Sequence, residues 1–248
     1  MCYRCNWPAR LCWCGSITPL SVRTKFVFLM HPHEHSHVRN GTGRLTHLSL
    51  RDSELHVGIR FDRHEAVQAL LADPANYCVL LYPSPTAVNL SAAAPDNPLP
   101  AMGDRRLVVF LLDATWNLAR VMLRDNPGLR ALPHIMFSGA APSRFVIKKQ
   151  PEPGCLSTLE ATHELLVALD RSGLDSYSGD SSPLLDLFRR MQELQLRFAT
   201  ELNNRRHVYR KTPEERAAAA LLQGERRRKI FKPAAMPDRP QGDNATAE

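Results

Sequence analysis

Leu107-Val-Val-Phe-Leu-Leu112 is a run of six apolar residues, and Asp113-Ala114-Thr115-Trp116 follows it without a break. Six residues are too few for a useful helix. An unbroken apolar run of that length instead reads as a strand buried on both faces, as in the parallel sheets of α/β proteins. A carboxylate at the carboxyl end of such a strand stands on the rim where open α/β sheets take their ligands. Asn117 to Leu123 then has helix chemistry, so the segment is a strand-to-helix corner.

The remaining chain extends this pattern. Val22–Met30 and Tyr77–Tyr82 read as strands, and Arg144–Lys148 as a further one after the 107–112 strand. A short helix is expected near Leu45–Leu50, after a Gly-Thr-Gly turn. Asp62-Arg-His-Glu65 forms a capping box ahead of a helix that Asp73-Pro74 stops. Residues 83–104 carry five prolines and read as a loop. The corner helix ends at Asn126-Pro127-Gly128. Gln150–Gly154 is a turn leading to Ser157-Thr158-Leu159-Glu160, a second capping box, whose helix runs to Leu169. Residues 183–204 form an amphipathic helix with Leu184, Leu187, Phe188 and Met191 on one side. Strands alternating with helices predict an α/β fold with a mostly parallel sheet flanked by helices. Three segments are expected: a knuckle at 1–16, a catalytic domain at 17–204 and a basic extension at 205–248, disordered from about 233.

Of the six cysteines, four fall within thirteen residues, as Cys2-x-x-Cys5 and Cys12-x-Cys14. No apolar stretch reaches membrane-spanning length and no secretory leader precedes them, which predicts a cytoplasmic protein with no membrane partner. In a reducing compartment such a quartet reads as metal ligands rather than disulfides. Four thiolates suit a closed tetrahedral Zn2+ of structural role. Free thiols are the alternative. Cys78, inside an apolar run, reads as a core residue. His31, His33, His35 and His37 would share a face if extended, as a second metal site would require; a polar loop is the plainer reading.

The net charge of +7 is concentrated. Residues 201–232 hold ten Lys/Arg against four Glu, a local +6. That segment, with Arg205, Arg206, Arg226, Arg227, Arg228 and Lys229, suits a polyanion through counterion release. A solvated helical face is the alternative.

Asp113-Ala114-Thr115-Trp116, the cysteine quartet and Ser157-Thr158-Leu159-Glu160-Ala161 together resemble the DTW-domain family. Looser likenesses are His31-Pro32-His33-Glu34, the Asn40–Leu45 loop and Tyr82-Pro83-Ser84. Members of that family transfer the 3-amino-3-carboxypropyl group of S-adenosylmethionine to uridine in tRNA, so the resemblance implies a transferase that releases methylthioadenosine. It also implies tRNA as partner, with no protein partner, and a SPOUT-like sheet with a knotted cofactor-binding region. A SPOUT-type RNA methyltransferase and a non-catalytic zinc-containing RNA-binding module are the rival readings.

For such chemistry uridine N3 must lose its proton, and a desolvated carboxylate could take it; Asp113 is the candidate. Thr115 and Trp116 complete the catalytic set, although Thr115 could equally cap the helix and Trp116 anchor it in the core. Tyr82, Pro83, Ser84, Leu112, Ser157, Thr158 and Glu160 are the expected cofactor-binding residues. Ser157 and Glu160 would combine helix capping with a place near the donor carboxylate. Arg144 is expected to meet RNA phosphate or that carboxylate.

Overall fold

The computed structural model describes residues 1–38, 41–92, 98–146, 155–177 and 183–206. Among them, six strands form one sheet: β1 (Lys25–Met30), β2 (Ser53–Val57), β3 (Asn76–Leu81), β4 (Val88–Asn89), β5 (Arg106–Asp113) and β6 (His134–Met136). Their order across the sheet is β2-β1-β5-β3-β6-β4 and every pairing is parallel. The helices are α1 (Pro32–His37), α2 (Thr42–Leu48), α3 (Glu65–Ala72), α4 (Trp116–Asp125), α5 (Pro127–Arg130), α6 (Thr158–Arg171) and α7 (Pro183–Arg206). The α/β class and parallel sheet expected from the sequence are present.

Side-chain alternation along β5 explains the two cores. Leu107, Val109 and Leu111 join Phe26 and Phe28 in a cluster with α2, α6 and α7. Val108, Phe110 and Leu112 join Val27, Leu29, Val67 and Met122 on the opposite face, with α3 and α4. Period 2 then sends Asp113 toward the α2 and α6 side and Ala114 toward α4.

The amino-terminal residues share the first core. Cys5, Trp7 and Trp13 are buried in it, and the two indoles meet edge to face with centroids 5.4 Å apart. Arg190 of α7 donates to the Ser16 carbonyl at 3.1 Å. The knuckle thus belongs to the compact unit Met1–Leu196; Arg197–Glu248 forms a second unit, of which α7 as far as Arg206 is described.

Several local expectations change. Residues 144–145 are irregular and Val146 is a turn; 147 and 148, like the expected turn at 150–154, lie outside the described residues. The segment is instead fixed by side chains: Arg144 N–H donates to Glu160 Oε1 at 2.6 Å and Val146 N–H to Gln192 Oε1 at 2.7 Å. Strand β6 was hidden by its length of three residues, and β2 by its polar letters on a sheet edge. The histidine segment is helical, so His33 and His37 stack one turn apart at 4.9 Å and His35 leaves their face. Helix α3 is capped by His64, whose ring accepts from Val67 N–H, because Asp62 turns to accept from Gly128 N–H at 3.3 Å. Burial pushes the Cys78 thiol up to about 11, and its sulfur packs in the second core. No helix among the described residues is long and apolar enough to cross a membrane.

Candidate active site and metal centre

A cavity of about 280 Å3 opens at the carboxyl ends of β5, β3 and β6, close to the lower end of the range of about 300–1,000 Å3 for small-molecule sites. It lies where the strand order reverses: the chain runs outward from β1 to β2, then crosses to β3, leaving β5 between. That is the position α/β folds use for ligands. Leu81, Tyr82, Pro83, Leu112, Met136 and Leu156 line it, with Trp116 and Thr158. The walls are mostly apolar, suited to a purine ring and its sugar rather than to a phosphate.

Thr158 is the polar feature of that wall. Its hydroxyl donates to Asp113 Oδ1 in a short bond of 2.6 Å. Asp113 itself sits behind the wall and is 6% exposed. Gly43 of α2 also lies against it, where an added methyl group would overlap the carboxylate. The strand-end carboxylate is therefore held between two helices. Gly43→Ala should displace Asp113 from Thr158 or strain the core by about 1–3 kcal/mol. Thermal unfolding together with a turnover assay checks this; unchanged values for both would show that the contact is easily relieved.

The other expected residues separate by role. Tyr82, Pro83, Leu112, Trp116 and Thr158 meet around the cavity. Trp116 is 37% exposed, so it does not anchor α4 in the core; it forms part of the mouth. The Thr115 hydroxyl accepts from Leu118 N–H at 3.4 Å and caps α4. Ser84 turns away to hydrogen-bond His134 Nδ1 at 3.0 Å. Ser157 and Glu160 form the capping box of α6. The Glu160 carboxylate is occupied further, since Oε2 accepts from Ser157 N–H and Ser143 Oγ–H, both at 2.9 Å, beside the Arg144 bond to Oε1. It pins the 143–145 segment to α6.

Arg144 has an exposed side chain. Burial, and then the Arg144 charge, hold His163 below the usual imidazole range. Arg205 and Arg206 end α7, while Arg226, Arg227, Arg228 and Lys229 lie outside the described residues. Met136 and Leu156 escaped the sequence reading as site residues. Gly43 lay in the Gly-Thr-Gly turn of the Asn40–Leu45 loop, which the sequence marked without giving Gly43 a role.

The four amino-terminal sulfurs lie within 4.8 Å of one another, and they are the one group of this kind among the described residues. Cys2 and Cys14 Sγ are 3.8 Å apart, Cys5 and Cys12 Sγ 3.7 Å. A tetrahedron with Zn–S of about 2.3 Å requires S···S of about 3.8 Å, which those two pairs meet, and the cluster as a whole is compact enough to close around one ion. Backbone N–H groups of Cys5 and Arg4 bring the Cys2 thiol down to about 6, whereas burial pushes Cys14 up to about 12. A cation bound among the four sulfurs would displace their protons. With all four positions filled by sulfur, none is open to water.

A parallel α/β domain with a nucleoside-sized cavity at its strand ends and a cluster of four cysteines that could hold a metal ion is the class that fold and site define. The DTW domain profile matches residues 1–196, and the chain belongs to that family. It is similar to tRNA-uridine aminocarboxypropyltransferase 2 of Drosophila melanogaster, 31% identical over 176 residues, covering 68% of this chain and 66% of that protein. The mouse protein of the same name is 28% identical over 174 residues, covering 69% and 57%. Identity to tRNA-uridine aminocarboxypropyltransferase A of Arabidopsis thaliana is 28% over 200 residues, covering 70% and 74%. The match thus spans less than two thirds of the two animal relatives' length. No solved structure matches the chain.

Proposed function

We propose that the protein transfers the 3-amino-3-carboxypropyl group of S-adenosylmethionine to N3 of a uridine in tRNA, with methylthioadenosine as the second product. The observation carrying this reading is the Thr158–Asp113 pair at the wall of an apolar, nucleoside-sized cavity. The names of the relatives supply the substrate class.

In this reading the adenosine lies against Tyr82, Pro83, Leu112 and Leu156, and Trp116 at the mouth offers an aromatic plane for the uracil. Uridine N3–H passes its proton to Thr158 Oγ as the Thr158 hydroxyl proton moves to Asp113. The N3 electron pair forms a bond to the methylene carbon on the sulfonium, the C–S bond breaks, and its electrons neutralise sulfur. The leaving group already carries positive charge and needs no acid. Catalysis then rests on one proton transfer and on in-line positioning. The cysteine centre, with Zn2+, braces the fold and takes no part in the transfer. The exposed arginines, Arg144 among them, and the basic carboxyl-terminal segment are assigned to RNA phosphates.

Purified protein incubated with S-adenosylmethionine and unmodified tRNA should yield methylthioadenosine and, in equimolar amount, uridine heavier by one aminocarboxypropyl group. S-adenosylhomocysteine in its place would mean methyl transfer. Neither product would leave an RNA-binding module.

A further inference from the structure

Helix α4 crosses the strands near their carboxyl ends, and its outward face carries a row of side chains that reaches beyond the cavity. Both of its ends are held by turns that follow strands. At the start, Thr115 caps it directly after β5. At the far end, Asn126 donates to the Ile59 carbonyl at 2.7 Å and accepts from Phe61 N–H, in the turn that follows β2. β5 and β2 stand two strand spacings apart, about 10 Å. A helix of ten residues is about 15 Å long and bridges that gap.

Ala119, Met122 and Leu123 are buried on the inner side of α4, whereas Trp116, Asn117, Arg120, Val121 and Arg124 are exposed. Residues four apart are neighbours on a helix surface, with Cβ atoms about 5–6 Å apart, so Trp116, Arg120 and Arg124 form one row with Val121 beside it. Trp116 also lines the cavity, so the row starts at the mouth and leads away from it. Arg120 makes no ion pair among the described residues. Arg124 pairs with the adjacent Asp125 at 2.7 Å and, with the nearby Arg60 charge, holds that carboxyl below its usual range. Asp125 is the one acid of α4. Ile59, next to Arg60, is exposed as well.

We propose that the outward face of α4 is the RNA-docking surface of the domain. The strand next to the target uridine runs from Trp116 along the helix, with phosphates on Arg120 and on Arg124 or Arg60, and a neighbouring base or ribose against Val121. This rests on the uridine transfer proposed above. Guanidinium groups interleaved with aromatic and apolar surface suit a phosphodiester strand and its bases, while a face that meets only water needs neither the tryptophan nor the valine. Arg120 and Arg124 stand one helical turn apart, a step that their long side chains can match to adjacent phosphates. The RNA then approaches from the α4 side of the sheet, and the amino-terminal cysteines pack in the core of the opposite side.

Equilibrium binding of unmodified tRNA to the metal-loaded full chain, measured over a series of salt concentrations, tests the inference. Arg120→Gln should weaken binding about three- to tenfold and lower the slope of log affinity against log salt by about one. Val121→Glu, which sets a negative charge beside the same row, should weaken it at least as much. Both variants should keep the wild-type melting temperature and affinity for methylthioadenosine, since neither side chain lines the cavity. Arg51→Gln removes an equal charge from an exposed position just before β2, at the amino end of the sheet, and should leave tRNA binding as it is. Wild-type affinity and slope in both α4 variants, or an equal loss in Arg51→Gln and Arg120→Gln, overturns the inference and leaves the transfer reading to its product assay. A wild-type chain that binds no tRNA brings down both.

Discussion

Asp113→Asn should lower turnover by about 10²–10⁴-fold, the usual contribution of a positioned proton acceptor. Methylthioadenosine binding and thermal stability should stay close to wild type. The amide keeps the shape of the carboxylate and can still accept from Thr158 through its oxygen, so packing against Gly43 survives. What disappears is the capacity to take a proton. Thr158→Val should match that loss, because in the proposed relay the hydroxyl is the group that meets the nucleobase. The two replacements combined should cost little more than either one, as for residues acting as a unit. Single-turnover rates with saturating donor and tRNA measure all three. A Thr158→Val protein with near-wild-type turnover would remove the relay and require Asp113 to act by another route.

Stripping the metal should have the larger structural effect. Cys5, Trp7 and Trp13 are buried in the same cluster as Phe28, Val109 and Leu166. Releasing the four sulfurs frees the chain that holds both indoles, and removing one large aromatic from a core costs about 3–5 kcal/mol. For a domain of this size, about 2–4 °C of melting temperature accompanies each kcal/mol. A chelator that removes the ion should therefore lower the midpoint by about 6–20 °C, and Cys5→Ala should do so without chelator. A melting curve indifferent to both treatments would mean that the sulfur cluster is not a structural metal centre.

Much of this was legible in the letters. An apolar run of six with Asp at its end set a buried parallel strand and put a carboxylate on the ligand rim, because strand period and chain direction are local properties. The cysteine quartet declared its chemistry for a similar reason, since four thiols within thirteen residues cannot lie far apart. The Ser157 capping box formed as read, within one helical turn. Strands β2, β4 and β6 left no comparable trace; they are short or on edges, and neighbouring strands rather than their own residues hold them extended.

The division within the site follows the same line. Sequence determined which residues reach the carboxyl rim: Tyr82 and Pro83 after one strand, Asp113 to Trp116 after another, Thr158 at a helix start. Tertiary structure alone decided which of them share a cavity. Ser84 was turned to His134, Thr115 to its own helix, and Glu160 to the 143–145 segment. Asp113 was withdrawn behind Thr158 and set against Gly43, a residue seventy positions earlier. These outcomes depend on hydrogen-bond partners and steric contacts brought from distant parts of the chain, and no local pattern encodes them.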